Sequence, residues 1–96
     1  MSKVTLVVTG TVVDADQLAA YKKVAVQVLQ KHGAEFPPRA REVTTVLAGE
    51  LIPKMYMEID FPEEQNVLNA FTDPDYLSVI TQRDQAFSNL SIYVTR

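Results

Sequence analysis

The sequence predicts an α+β fold: two strand–helix–strand units whose strands join in one sheet. Three observations carry this. Residues 3–13 and 54–61 alternate apolar and polar side chains with the period of a strand. Helical spacing follows a capping residue at Asp14, and again follows Asp73-Pro74. Residues 89–96 alternate once more to close the chain. A length of 96 residues suits one domain, residues 1–96, large enough to bury a core without disulfides.

In residues 3–13, Val4, Leu6, Val8, Gly10 and Val12 share one face, and Lys3, Thr5, Val7, Thr9, Thr11 and Val13 the other. Asp14 is a natural N-cap, with Gln17 at the capping-box position. The helix that follows repeats Leu18, Tyr21, Ala25, Val28 and Leu29, and stops at His32-Gly33, where glycine suits the left-handed C′ position. Residues 35–48 read as a second, weaker strand. Pro37-Pro38 cannot donate ladder hydrogen bonds, so its first part lies on an edge or outside the sheet.

Residues 54–61 place Met55, Met57, Ile59 and Phe61 opposite Lys54, Tyr56, Glu58 and Asp60. Pro62 suits the first turn of a helix carrying Val67, Leu68, Ala70 and Phe71. A further helix starts at Asp73-Pro74 and spaces Leu77, Ile80, Asp84 and Phe87 along one side, with Tyr76 and Arg83 alongside. The closing strand sets Leu90, Ile92 and Val94 against Ser91, Tyr93 and Thr95.

Two βαβ units with an antiparallel middle pair make the ferredoxin-like βαββαβ plait, a four-stranded antiparallel sheet. Right-handed crossovers put both helical segments on one face. The other face then collects Thr5, Val7, Thr9, Thr11, Val13, Tyr56, Glu58, Ser91, Tyr93 and Thr95. A face left to water normally carries more charge, and an open patch of this kind marks an interface. The expected partner is a second copy, giving a homodimer through the open sheet face.

Composition narrows the function. Nine basic residues face twelve acidic ones, a formal net charge of -3, so nucleic acid is not the expected partner. The densest basic spots, Lys22-Lys23 and Arg39/Arg41, read as solvated surface. The apolar start is interrupted and far too short for a membrane span, and a cytoplasmic protein is the expectation. With no cysteine and one histidine, no metal site and no cofactor are expected. His32 falls in the last helical turn, where the helix dipole favours a cation without any further role.

Four side chains remain as ligand-binding candidates. Arg83 sits at the margin of its helix's apolar face, where its fork suits a carboxylate-bearing ligand; the alternative is an ion pair with Glu58 or Asp84. Tyr21 and Tyr76 carry hydroxyls able to orient a carbonyl or enolate from a pocket edge, or are core tyrosines with satisfied hydroxyls. Glu58, mid-strand on the open face, is either a raised carboxyl able to shuttle protons or one half of a salt bridge.

The segments Val13-Asp14, Tyr21, His32-Gly33, Glu58-Ile59-Asp60-Phe61-Pro62, Ala70-Phe71, Asp73-Pro74-Asp75-Tyr76 and Arg83 together resemble domain-of-unknown-function family 1330. That family sits in the dimeric α/β-barrel superfamily, beside antibiotic-biosynthesis monooxygenases and muconolactone-isomerase-like proteins. The resemblance spans almost the whole chain and is most specific from Ala70 through Arg83. It implies a ferredoxin-like subunit whose sheet packs on a partner's, with a modest cavity between sheet and helices. The chain departs from the family pattern at Pro37-Pro38-Arg39-Ala40-Arg41, which sets Arg39 aside as a site residue. Two functions fit. One is a small-molecule-binding dimer acting as a cofactor-free enzyme on a small oxo or enolisable acid, with a small anionic ligand held by Arg83. The other is a non-catalytic ligand-sensing or structural dimer module.

Overall fold

A computed structural model describes residues 3–51, 53 and 55–96. The elements run β1 (Val4–Val12), α1 (Ala15–Lys31), β2 (Arg39–Glu42), β3 (Met55–Phe61), α2 (Glu64–Phe71), α3 (Pro74–Leu77), α4 (Ile80–Ala86) and β4 (Phe87–Thr95). The strands form one antiparallel sheet in the order β2-β3-β1-β4, which is the ferredoxin-like plait. Lys54, expected to begin the third strand, lies outside the described residues.

Alternation in the strands decides what is covered. Val4 and Leu6 of β1 pack with Ile59 and Phe61 of β3, and Leu29, Val67 and Ala70 close over them from the helices. Phe61 and Ala70 are fully buried and Leu6 almost so. Burying a side chain the size of Leu or Phe is worth roughly 1.5–3 kcal/mol, so this cluster is the main support of the fold. A second cluster joins Ala25 and Val28 of α1 to Tyr76 of α3.

The helices are tied by capping. The Asp14 carboxylate accepts from the backbone amides of Asp16 and Gln17, each at 3.1 Å, and opens α1. Asp73 caps α3 through the amide of Asp75 at 2.9 Å. One oxygen of the same carboxylate meets His32 Nε2 and Lys31 Nζ, both at 2.9 Å. Those bonds hold the Asp73 carboxyl well below the usual carboxylate range, the His32 contact most of all. The end of α1 is thereby fastened to the start of α3, and that junction seats Tyr76 against α1.

β4 pairs with β1 through a bulge. Thr9 faces Ser91 but Thr11 faces Ser88, so β4 carries one extra residue there. Asn89 absorbs it at φ 54, a left-handed conformation that asparagine tolerates. Opposite lies Gly10, where an added Cβ would stand 3.1 Å from the Phe87 ring.

Five expectations are corrected. The second strand was expected over residues 35–48 and covers only Arg39–Glu42, every residue of it exposed. It is an edge strand beginning after Pro38, and with no buried side chain it has little to hold further pairing. Pro62 precedes α2 instead of sitting in its first turn, and Leu68, expected in that helix's apolar stripe, is half exposed. Phe87 belongs to β4, not to the last helix. The spacing expected at Leu77, Ile80, Asp84 and Phe87 is real but shifted by one residue: Tyr76, Val79 and Ala86 are buried in line with Arg83, while Leu77 is 49% exposed.

Candidate functional site

The covered face of the sheet does not pack shut. Between it and α1 lies a cavity of about 420 Å³. Met55, Met57 and Ile59 of β3 floor it beside Leu6 and Val8, and Ala40, Pro38 and Phe36 close the β2 side. Phe87, Leu90 and Ile92 of β4 complete a lining that is apolar nearly throughout. Its polar exceptions gather on the helices: Tyr21 and Lys22 from α1, and Arg83 from α4. A wider-mouthed recess adjoins it, sharing Phe71, Arg83, Leu90 and Ile92 and adding Asp84.

Arg83 reaches this space because of the shift in helix phase. Tyr76 lies in α3 and Arg83 in α4, and the shifted phase turns Arg83 toward the side on which Tyr76, Val79 and Ala86 are buried. The Arg83 side chain is 19% exposed. Nη1 donates to the Tyr76 hydroxyl at 3.1 Å, and Nε donates to Asp84 Oδ1 at 3.0 Å. The guanidinium also stands 5.9 Å from the centre of the Tyr76 ring, within cation–π range. Burial works against its charge, but the bonds to Tyr76 and Asp84 outweigh that and strengthen its hold on the proton.

Tyr76 is fully buried, tilted against Phe71 at 4.5 Å and edge-on to Tyr21 at 6.0 Å between ring centres. The two tyrosine hydroxyls are 3.0 Å apart. Arg83, Tyr76 and Tyr21 therefore form one hydrogen-bonded chain whose two ends line the cavity. Burial first, and the neighbouring Tyr76 second, raise the Tyr21 hydroxyl far above the ordinary tyrosine value. A hydroxyl held so high stays protonated and has a hydrogen to offer.

The structure brings Arg83, Tyr21 and Tyr76 together and leaves Glu58 apart. Glu58 points to the opposite face of the sheet, where Oε1 accepts from Arg39 Nε at 3.1 Å. Arg39 also grips Asp60 with both terminal nitrogens, at 2.8 and 3.1 Å, and Thr5 Oγ1 donates to the same carboxylate at 2.8 Å. The fork of Arg39, with Thr5 second, keeps the Asp60 carboxyl well below the usual carboxylate range. Of the two acids expected to pair with Arg83, Asp84 does and Glu58 does not. Among the described residues, no three histidine or acidic side chains gather as a metal-holding group. No described helix is long and apolar enough to cross a membrane.

Lys22 and the two methionines of the cavity were not among the sequence candidates. Lys22 looked like solvated surface because it adjoins Lys23; its place one residue after the inward Tyr21 was the available signal. Met55 and Met57 were placed on the covered face, but nothing local tells a lining residue from a packed one.

A family model described as a domain of unknown function, DUF1330, matches residues 3–95. No curated protein matches the sequence. Solved structures resemble the fold at low identity. A protein of unknown function from Rhodopseudomonas palustris superposes with a TM-score of 0.80 and 13% identity, covering 96% of this chain and 79% of that one. A dabb family protein with a ferredoxin-like fold from Mesorhizobium loti gives 0.71 and 10%, covering 100% and 97%. A hydroxynitrile lyase from Passiflora edulis gives 0.66 and 13%, covering 97% and 91%. At these identities the likeness establishes the fold alone.

Proposed function

The chain belongs to the DUF1330 family, and within that family we propose that it is a homodimeric small-molecule-binding protein, residues 1–96 forming one dimeric α/β-barrel domain. The cavity between sheet and α1 is its ligand site. The observation that carries this reading is the convergence of Arg83 and Tyr21 on one end of an apolar cavity of about 420 Å³. A concave apolar site with a few convergent polar groups is the usual form of a small-molecule pocket.

Each polar group has a role there. The bonds from Arg83 to Asp84 and Tyr76 use two of its five N–H donors. Those that remain suit an anionic head group, and the fork is already fixed in direction. Tyr21 orients a carbonyl oxygen beside it. Tyr76 touches no ligand and serves to position both.

A second reading, a cofactor-free enzyme on an enolisable acid, is favoured by one observation. Asp84 lies in the adjoining recess, bonded to Arg83, as the nearest carboxylate to the cationic end. Arg83 and Tyr21 would then stabilise the developing enolate oxygen while Asp84 takes the proton. The Passiflora edulis lyase shows that this fold can carry an enzyme; it does not assign that reaction here.

The open face is the proposed dimer contact. Val7 is buried even in the single chain, between Glu58 and Tyr93 as cross-strand neighbours, and Tyr93 is 48% exposed. The Arg39–Glu58–Asp60 cluster occupies the β2–β3 side, so apolar packing centres on β1 and β4. A partner closing fully over the ion cluster would incur its desolvation cost, which keeps that cluster near the rim.

Two measurements test this reading. Sedimentation at micromolar concentration is expected to give twice the chain mass; a clean monomer overturns the dimer. A thermal-shift screen with small oxo acids, lactones and quinones is expected to give stabilising hits that Arg83→Ala abolishes, since a ligand bound only by the folded state raises the melting temperature. Hits that persist unchanged in Arg83→Ala place the ligand elsewhere.

A further inference from the structure

We infer that the cavity selects hydrophobic carbonyl acids, molecules with one carboxylate or oxo-acid head and an aryl or comparably bulky apolar body. The inference rests on the reading of this cavity as the ligand site, and concerns what the site prefers.

The first argument is the direction of the hydrogen-bonded chain. A guanidinium has donors and no acceptor, so Arg83 Nη1 must donate to the Tyr76 oxygen. Tyr76 is fully buried, and its own proton has one remaining partner among the described residues, the Tyr21 oxygen at 3.0 Å. A buried hydroxyl proton left without a partner is strongly disfavoured, so Tyr76 donates to Tyr21. The Tyr21 proton is then free for whatever enters the cavity. Every polar side chain lining the cavity, Tyr21, Arg83 and Lys22, offers donors, and two of the three are cations. The site reads acceptors and negative charge; an ammonium head there meets donors and like charge, and the one carboxylate of the adjoining recess, Asp84, is already engaged by Arg83 Nε.

The second argument is size and lining. A volume of about 420 Å³ corresponds to about fourteen waters at bulk density. A three-carbon oxo acid leaves most of that space wet against Met55, Met57, Ile59 and Phe36. Each additional buried CH₂-sized group is worth up to about fourfold in affinity. A ring-sized body of about a dozen non-hydrogen atoms fills the space that small acids leave, within the usual range of such pockets.

Calorimetric titration with phenylpyruvate, pyruvate and phenethylammonium decides the point, on wild type, Arg83→Gln and Tyr21→Phe, with circular dichroism confirming that each variant folds. The expected result is phenylpyruvate binding at least about tenfold more tightly than pyruvate, with no binding of phenethylammonium. Loss of a charge-assisted bond predicts about tenfold or greater weakening of phenylpyruvate in Arg83→Gln, and loss of a neutral bond about three- to tenfold in Tyr21→Phe. If Arg83→Gln fails to fold, Tyr21→Phe carries the test alone. Pyruvate binding as tightly as phenylpyruvate, with the same dependence on Arg83, overturns the preference and leaves the site standing. Phenethylammonium binding as tightly as phenylpyruvate overturns the acceptor reading. Absence of acid binding, or binding indifferent to both variants, overturns the preference and the site together.

Discussion

The two faces of the sheet are made by alternate residues of the same strands, yet they solve different problems. On the covered side, Leu6, Val8, Met57 and Ile59 meet helices and leave a cavity with its polar groups at one end. On the other, Thr5, Val7, Glu58 and Asp60 stand in the same rows, and the β2 edge brings Arg39 across two acids. The covered face keeps charge at the perimeter of an apolar space, on the helices. The open face splits into an ion cluster beside β2 and a Val, Thr and Tyr surface over β1 and β4. A shift of one residue in any strand would exchange these roles. Alternation alone puts Glu58 and Asp60 on the open face; the cation that joins them, Arg39, comes from 19 and 21 positions away in the chain.

The largest effect should come from the covered face. Phe61→Ala empties the centre of the core and is expected to cost about 3–5 kcal/mol in denaturant unfolding. A cost below about 1 kcal/mol would show that helices and sheet are less tightly joined than described. Tyr76→Phe keeps the ring and removes only the hydroxyl that links Arg83 to Tyr21. It is expected to cost roughly 1–3 kcal/mol while the circular dichroism spectrum stays unchanged.

The open face should respond more weakly in the same experiment. Arg39→Ala removes bonds that water can largely replace, so its denaturation midpoint should move less than that of Tyr76→Phe, and less again at high salt. A larger shift than Tyr76→Phe would invert the comparison.

The smallest effect is a pH dependence. The folded chain holds the Asp60 carboxyl below its ordinary range through Arg39 and Thr5. Its contribution is complete above the ordinary carboxylate pKa of about 4 and is lost as the pH falls below it toward the depressed value. Asp60→Asn should therefore flatten the loss of stability with acid. Asp73, held down by His32 and Lys31, titrates over the same interval and supplies the slope that remains.

Much of the fold was legible because alternation and capping are local. Residues 3–13 and 54–61 announced their faces, Asp14 and Asp73 announced two helix starts, and the element order left one common topology. The phase of the last helical stripe was not legible. Leu77 is the more hydrophobic residue, but Tyr76 is the one buried, because Arg83 and Tyr21 satisfy its hydroxyl from elsewhere in the chain. The length of β2 was misjudged for a related reason: Val43, Val46 and Leu47 suit a strand, yet pairing ends at Glu42 with Met55. Three of the four candidate residues proved to be neighbours, while Glu58 was separated from them by the thickness of the sheet.

Methyl resonances offer the most direct test of the division between faces. The chain has three methionines, and two of them, Met55 and Met57, line the cavity. Thr5 and Thr9 carry their methyl groups on the open face, in rows with Asp60 and Tyr56. Titration of phenylpyruvate into protein labelled at methionine and threonine methyls should move Met55 and Met57 and leave Thr5 and Thr9 in place. Movement of the threonine methyls with the methionines unmoved would put the ligand on the open face and contradict the account.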